Sequence, residues 1–132
     1  MATIPENYLD LLGAKKAFAN IATVLKDGSP QVTPVWFDYT GGKIRVNTAR
    51  GRVKAKTMRM GAPVALAIMD PENPYRYLQI RGKIVSVSEN GANAHIDSLA
   101  KKYLDQDKYP FHQPGDVRVM YEIEPASAQA MG

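Results

Sequence analysis

The chain contains no cysteine. That removes disulfides, thiolate metal sites and cysteine nucleophiles together. Histidine is scarce as well: His95 and His112 are the two present, too few to build a metal centre from imidazole ligands. There is no run of about 18 apolar residues such as a membrane-crossing helix needs, and the opening Met1-Ala2-Thr3-Ile4-Pro5-Glu6 has neither the basic nor the apolar region of a signal peptide. The expectation is a cytoplasmic protein with no membrane partner. No nucleophile stands beside a base and no carboxylate pair is placed for acid and base work. Neither a phosphate-binding loop ending in Lys-Ser/Thr nor Gly-x-Gly-x-x-Gly occurs. An enzyme of this composition takes its reactivity from a bound organic cofactor, to which the chain adds position and charge.

What is present is basic charge, and it is unevenly spread. The 132 residues carry 17 Lys and Arg against 13 Asp and Glu, a net charge of +4, which favours anionic partners in general. Five of those cations, Arg50, Arg52, Lys54, Lys56 and Arg59, fall in ten positions that hold no acid. They follow Lys43-Ile44-Arg45-Val46-Asn47-Thr48, which reads as a strand. A strand end running into a helix start offers free backbone N–H groups, with Asn47 and Thr48 as short polar neighbours, and so a place to hold a phosphate. The plainer reading is the solvated face of a surface helix. Such a face usually interleaves both signs, gaining about 0.2–0.5 kcal/mol per Glu–Lys pair, and this one does not. At 100° per residue Arg52, Lys56 and Arg59 lie within about 60° of one another, and Lys54 joins them only from a non-helical turn. Val53, Thr57, Met58 and Met60 form the opposite, packing side.

The length suits one domain, residues 1–132, with its own core. A short helix is expected from Pro5 to about Lys16, with Tyr8, Leu11 and Leu12 at helical spacing. Strands follow at Phe18–Leu25 and, after the Asp27-Gly28 turn, at Gln31–Tyr39, then Ile44–Thr48 after Thr40-Gly41-Gly42-Lys43. The basic segment runs as a helix up to Gly61-Ala62-Pro63. Val64–Met69 is a continuous apolar run, as in a strand buried on both faces. Tyr75–Val87 alternates, with Leu78, Ile80 and Ile84 on one face and Tyr75, Tyr77, Gln79, Arg81 and Lys83 on the other. A helix over Ala92–Leu104 and a strand over Val117–Ile123 complete the chain. The fold class is mainly β with flanking helices, six antiparallel strands closing into a small barrel. Pro34 inside the second strand marks an edge, a bulge or the approach of a ligand. Trp36 and Phe37 point to opposite sides of that strand, one to the core and one toward a pocket. Tyr75, Tyr77, Gln79 and Arg81 suit a subunit interface or a ring-shaped ligand, although aromatics are also common on exposed strands. The cations gather at one junction instead of tracking a long groove, so nucleic acid is not the expected partner.

Several strings resemble the pyridoxamine 5′-phosphate oxidase-like split-barrel family, and within it the coenzyme F420-dependent reductases. They are Ile21-Ala22-Thr23-Val24 through Asp27-Gly28-Ser29-Pro30-Gln31-Val32-Thr33-Pro34-Val35-Trp36, then Val46-Asn47-Thr48 through Gly51-Arg52-Val53-Lys54-Ala55-Lys56, and Tyr77-Leu78-Gln79-Ile80-Arg81-Gly82. The resemblance implies a split β-barrel and a homodimer with its two sites at the interface. Asn47, Thr48, Arg52 and Lys54 would surround the cofactor phosphate, with Lys56 nearby. Thr33, Pro34 and Val35 would lie beside the flavin-like ring, and Tyr75, Tyr77 and Arg81 would reach the partner's cofactor. Lys102-Tyr103-Leu104 and Tyr109-Pro110-Phe111 would wall the substrate pocket. The chain lacks the extended C-terminal region and phosphate-binding set of a true pyridoxamine phosphate oxidase, which speaks against that reaction. The excess of cations suits F420 with its oligoglutamate carboxylates. The implied activity is hydride transfer from reduced deazaflavin to an electron-poor double bond of a small organic acceptor. The alternatives are an FMN-dependent oxidoreductase, or a protein that carries a cofactor or haem-like ligand without turnover. No catalytic residue is named, and Tyr75, Tyr77, His112 or a water are the candidate proton donors.

Overall fold

The computed structural model describes residues 4–132. Met1, Ala2 and Thr3, part of the stretch read above for a signal peptide, lie outside the described residues. A 3-10 helix, Glu6–Leu12, opens the structure, followed by β1 (Ala19–Val24), β2 (Pro30–Val35), β3 (Phe37–Thr40), β4 (Lys43–Ala49), α1 (Val53–Thr57), β5 (Pro63–Asp70), β6 (Asn73–Ser88), α2 (Ala92–Leu104) and β7 (Arg118–Met131). All strands pair antiparallel in one sheet of order β2-β1-β5-β6-β7-β4-β3.

The mainly β split barrel is as expected, with seven strands in place of six. The additional strand arises because Gln31–Tyr39 is not continuous: it breaks at Trp36 into β2 and β3. These two occupy opposite edges of the sheet, yet a single residue separates them. Two residue steps reach only about 7 Å, so the sheet must roll until its edges meet at Trp36. Beyond that corner they part, and this is the split. Pro34, which has no N–H to donate, is accommodated because β2 is an edge strand.

Inside the roll, alternate residues of each strand pack together. Phe37, Ile44, Ile68, Leu78, Ile80 and Ile123 are fully buried, each such side chain stabilising the fold by about 1.5–3 kcal/mol. The first helix is shorter than expected and of 3-10 type, but Tyr8, Leu11 and Leu12 are buried as its spacing predicts. β5 differs from the expected doubly buried strand: Val64, Leu66 and Ile68 face inward while Ala65 and Ala67 are half-buried and Met69 is exposed. The outward residues are apolar but mostly small, so the run reads as continuous although one face is packed. β7 runs on past Ile123 to Met131. Pro125 obscured this, and it is tolerated where the β6–β7 register slips beside Gly82. A Cβ at Gly82 would collide with the Glu124 carbonyl, so glycine permits the close approach. Among the described residues no helix is long and apolar enough to cross a membrane.

Candidate functional site

The helix expected to run to Met60 is a single turn, Val53–Thr57. Such a short element has little dipole to offer an anion, so the holding falls to side chains. The turn is pinned at its end: Thr57 Oγ1 donates to the Lys54 carbonyl at 3.0 Å and accepts from the Thr23 hydroxyl at 2.8 Å, and Met58 is buried in the core. Val53 and Met60, expected on the packing side, are exposed instead. Arg52 precedes the turn with extended backbone, φ −75° and ψ 153°. This rearranges the predicted helical face. Arg52 and Lys54 line one pocket together, while Lys56 and Arg59 turn to a neighbouring cleft with Val24, Leu25 and Lys26.

The pocket sits over the split. Pro34, Val35 and Trp36 form one side, Asn47 and Thr48 of β4 the floor, and Arg52, Lys54 and Arg118 the charged rim. Ile96 and Leu99 of α2, with Phe18, Tyr109 and Phe111, close it with apolar surface. Trp36 stacks on Tyr103 at 5.2 Å and meets the edge of Tyr109 at 6.0 Å. Of the pair Trp36 and Phe37, Phe37 is core and Trp36 lines the pocket. Lys54 Nζ donates to Thr33 Oγ1 at 2.8 Å, which brings Thr33 to the site. Burial, with the Arg52 charge beside it, lowers the basicity of Lys54. Neither Arg52, Lys54 nor Arg118 has a carboxylate partner among the described residues. A desolvated cation without a counterion is unfavourable. Three beside one apolar pocket form a donor set suited to a phosphate or carboxylate.

Tyr75, Tyr77 and Arg81 do not line this pocket; they stand on the outward face of β6. His112 lies in a separate recess with Asn93, Asp97 and Lys108. Tyr103 is no proton donor to the pocket: its hydroxyl donates to the Ala17 carbonyl at 2.6 Å and accepts the Phe37 N–H at 3.3 Å, and burial pushes its phenol up to about 12. Arg118 was missed from sequence because it lies far from the basic cluster, at the start of a strand where only its pairing with β4 reveals it: Ala49 faces Arg118 and Thr48 faces Val119.

The family model for pyridoxamine 5′-phosphate oxidase matches residues 4–132. The chain belongs to this family. Within this oxidoreductase-type family it is similar to a solved F420 reductase, with 31% identity, a TM-score of 0.82, and coverage of 96% of this chain and 98% of that one. The FAD and haem binding protein of Mycobacterium smegmatis shares the fold at 15% identity and TM-score 0.70, covering 98% of this chain and 71% of that one. General stress protein 26 of Bacillus anthracis does so at 16% and 0.67, covering 95% and 92%. No curated protein matches this chain. The pocket over the split, with cations that have no carboxylate partner among the described residues and an apolar wall, is the candidate site of this pyridoxamine 5′-phosphate oxidase family member.

Proposed function

We propose that the protein is a coenzyme F420-dependent reductase acting on a small organic acceptor. The observation that carries this is the pairing of unpartnered Arg52 and Lys54 with the apolar strip Pro34-Val35-Trp36 in one pocket, in a chain 31% identical to an F420 reductase over nearly its whole length. Arg52 and Lys54 hold the cofactor phosphate, with Thr48 beside them. Pro34 and Val35 lie along the ring, where β2 presents an edge without an N–H at Pro34. A bound reduced deazaflavin would supply the hydride for an electron-poor double bond, with the proton that completes the addition coming from solvent. The chain's part is to hold ring and acceptor within about 3–3.5 Å and to keep water out with Trp36, Tyr109 and Phe111.

The working unit is a homodimer. The cavity of one chain measures about 200 Å³, short of the ~300–1,000 Å³ of pockets that enclose a small ligand. The register aligns Met69, Tyr77 and Met131 in a row across β5, β6 and β7, with Ala67, Gln79 and Gln129 in the next row. These two rows carry no charge, and Arg81, Lys83 and Glu124 flank them, as a polar rim flanks the centre of an interface. A second copy placed there brings its Tyr75, Tyr77 and Arg81 toward the site.

Titrating the protein separately with F420 and FMN, followed by fluorescence and absorbance, tests the assignment. A tight one-per-chain F420 complex is expected, and preference for FMN replaces this reading with an FMN-dependent oxidoreductase. Sedimentation should give twice the 14.5 kDa chain mass; a monomer that binds cofactor fully would refute the shared site.

A further inference from the structure

Arg118 is the most buried cation of the pocket, 7% exposed. Its Nε–H donates to Asn47 Oδ1 at 2.9 Å and its guanidinium lies 5.1 Å from the centre of the Tyr109 ring. The guanidinium meets Asn47 and the Tyr109 side chain but has no carboxylate bound to it among the described residues, and Arg118 lines the pocket. Burial lowers its basicity, and the charge of Arg52 nearby adds to the effect.

Asn47 is fully committed. Its Oδ1 takes the Arg118 Nε–H, its Nδ2 donates to the Ala92 carbonyl at 2.8 Å, and the same Nδ2 lies 3.1 Å from His95 Nδ1. An arginine only donates, so the amide oxygen must face Arg118 and the NH₂ must face Ala92 and His95. His95 Nδ1 is then an acceptor and its proton sits on Nε2. That nitrogen is buried and lies 3.3 Å from Asp38 Oδ2, off the linear hydrogen-bonding direction. Arg45 holds Asp38 from the far side with bonds of 2.8 and 2.7 Å. This arrangement leaves Asn47 no donor free for a ligand, while His95 Nε2 stays buried without a hydrogen bond among the described residues.

We propose that Arg118 is an anion-binding residue of the pocket, and that Asn47 and His95 are positioning residues that hold its guanidinium there. This rests on the reading of the pocket as a cofactor phosphate site. Asn47 therefore acts through Arg118 and does not touch the phosphate.

The test compares wild type, Arg118→Gln, Arg118→Lys, Asn47→Asp and the Asn47→Asp/Arg118→Gln double variant in F420 titrations, each checked for folding by thermal melting. Arg118→Gln should weaken binding about 10- to 150-fold, as for a lost charge-assisted bond, and Arg118→Lys should recover part of the loss. Asn47→Asp gives Arg118 an internal counterion and should weaken binding to a similar degree, with no further loss in the double variant. Binding by Arg118→Gln within about twofold of wild type, or full additivity in the double variant, overturns the proposal. If Arg118→Gln does not fold, the Lys and Asn47→Asp arms decide. For positioning, nitrogen NMR should show His95 protonated on Nε2, and His95→Phe should remove the protected Arg118 Nε–H signal; its persistence unchanged overturns that role. A wild type that takes neither F420 nor FMN sinks the cofactor reading. The inference about Arg118 is then decided by inorganic phosphate: a shifted Nε–H signal supports it and an unmoved one ends it.

Discussion

Two clusters of cations in this protein treat the same chemistry in opposite ways. At the junction of the first helix with the β5–β6 turn, Arg76 bonds Asp10 at 2.8 and 3.0 Å, Asp70 at 3.0 Å and the Asn7 carbonyl at 2.6 Å, and stacks on Tyr8. Lys15 completes the group with two bonds of 3.1 Å to Asp70. Hydrogen bonding to Asp10 and Asp70 raises the basicity of Arg76, and Asp10 and Asp70 are held below the usual carboxylate range. Over the split, Arg52, Lys54 and Arg118 form no ion pair among the described residues, and the basicity of Lys54 and Arg118 is lowered by burial. The first cluster is finished by the fold and ties elements together. The second is unfinished, and what it lacks is an anion from outside.

The comparison breaks most visibly under substitution. Lys54→Ala and Arg52→Ala should each weaken cofactor binding by about 1–3 kcal/mol, roughly 5- to 150-fold. The melting temperature should hold in both: Arg52 is exposed, and in Lys54→Ala the lost bond to Thr33 is offset by removal of a partly desolvated charge. Arg76→Gln should do the converse: melting falls, because Asp10 and Asp70 lose their shared partner, while cofactor affinity stays as in wild type. Calorimetric melting alongside fluorescence titration of the three variants reads both axes. Melting that falls for the pocket variants as for Arg76→Gln would erase the distinction.

Asp38 stands between the two clusters in kind, paired with Arg45 but also backing His95. Burial alone would raise its carboxyl; His95 close beside it and the hydrogen bonds from Arg45 outweigh this and hold it at about 2, against an ordinary 3.8. A depressed carboxyl stabilises the fold above its unfolded value and loses that contribution as pH falls toward the folded one. About 2 kcal/mol should therefore disappear between about pH 4 and pH 2. Denaturant melts across that range should show the slope in wild type and a shallower one in Asp38→Asn. Equal slopes would place the acid sensitivity elsewhere, in Asp10 and Asp70.

The fold was legible wherever one residue's pattern decided one strand. The Asp27-Gly28 and Gly41-Gly42 turns fixed two hairpins, and the alternation of Leu78, Ile80 and Ile84 fixed the inner face of β6. What was hidden depends on pairing between distant segments. Nothing near Trp36 says that the strand before it and the strand after it join opposite sheet edges. Nothing near Arg118 says that its side chain reaches Asn47. Pro34, Val35, Asn47, Thr48, Arg52 and Lys54 are expected together because they belong to the family's strings, and the structure gathers them in one pocket. Lys56 is expected near them from the same strings, and beside Arg52 and Arg59 from a helical period that a five-residue turn does not sustain.

Lys56 supplies the finest test, because charge and placement make different predictions for it. If the basic segment attracts its ligand by net charge alone, Lys56→Ala and Lys54→Ala lose equal affinity, since each removes one cation two residues from the other. If the pocket holds the anion by direct bonds, distance decides. Lys54 lines the pocket and bonds Thr33, while Lys56 faces the cleft with Leu25, Lys26 and Arg59. Lys56→Ala should then change cofactor affinity by no more than about twofold, the scale of a surface substitution. Even that residue of effect should fade at about 0.15 M salt, where screening acts over about 8 Å. A loss matching that of Lys54→Ala and insensitive to salt would put Lys56 on the ligand itself. The oligoglutamate carboxylates of F420 are the group long enough to reach that cleft, so the same titration with FMN, which has none, separates the two origins of the loss.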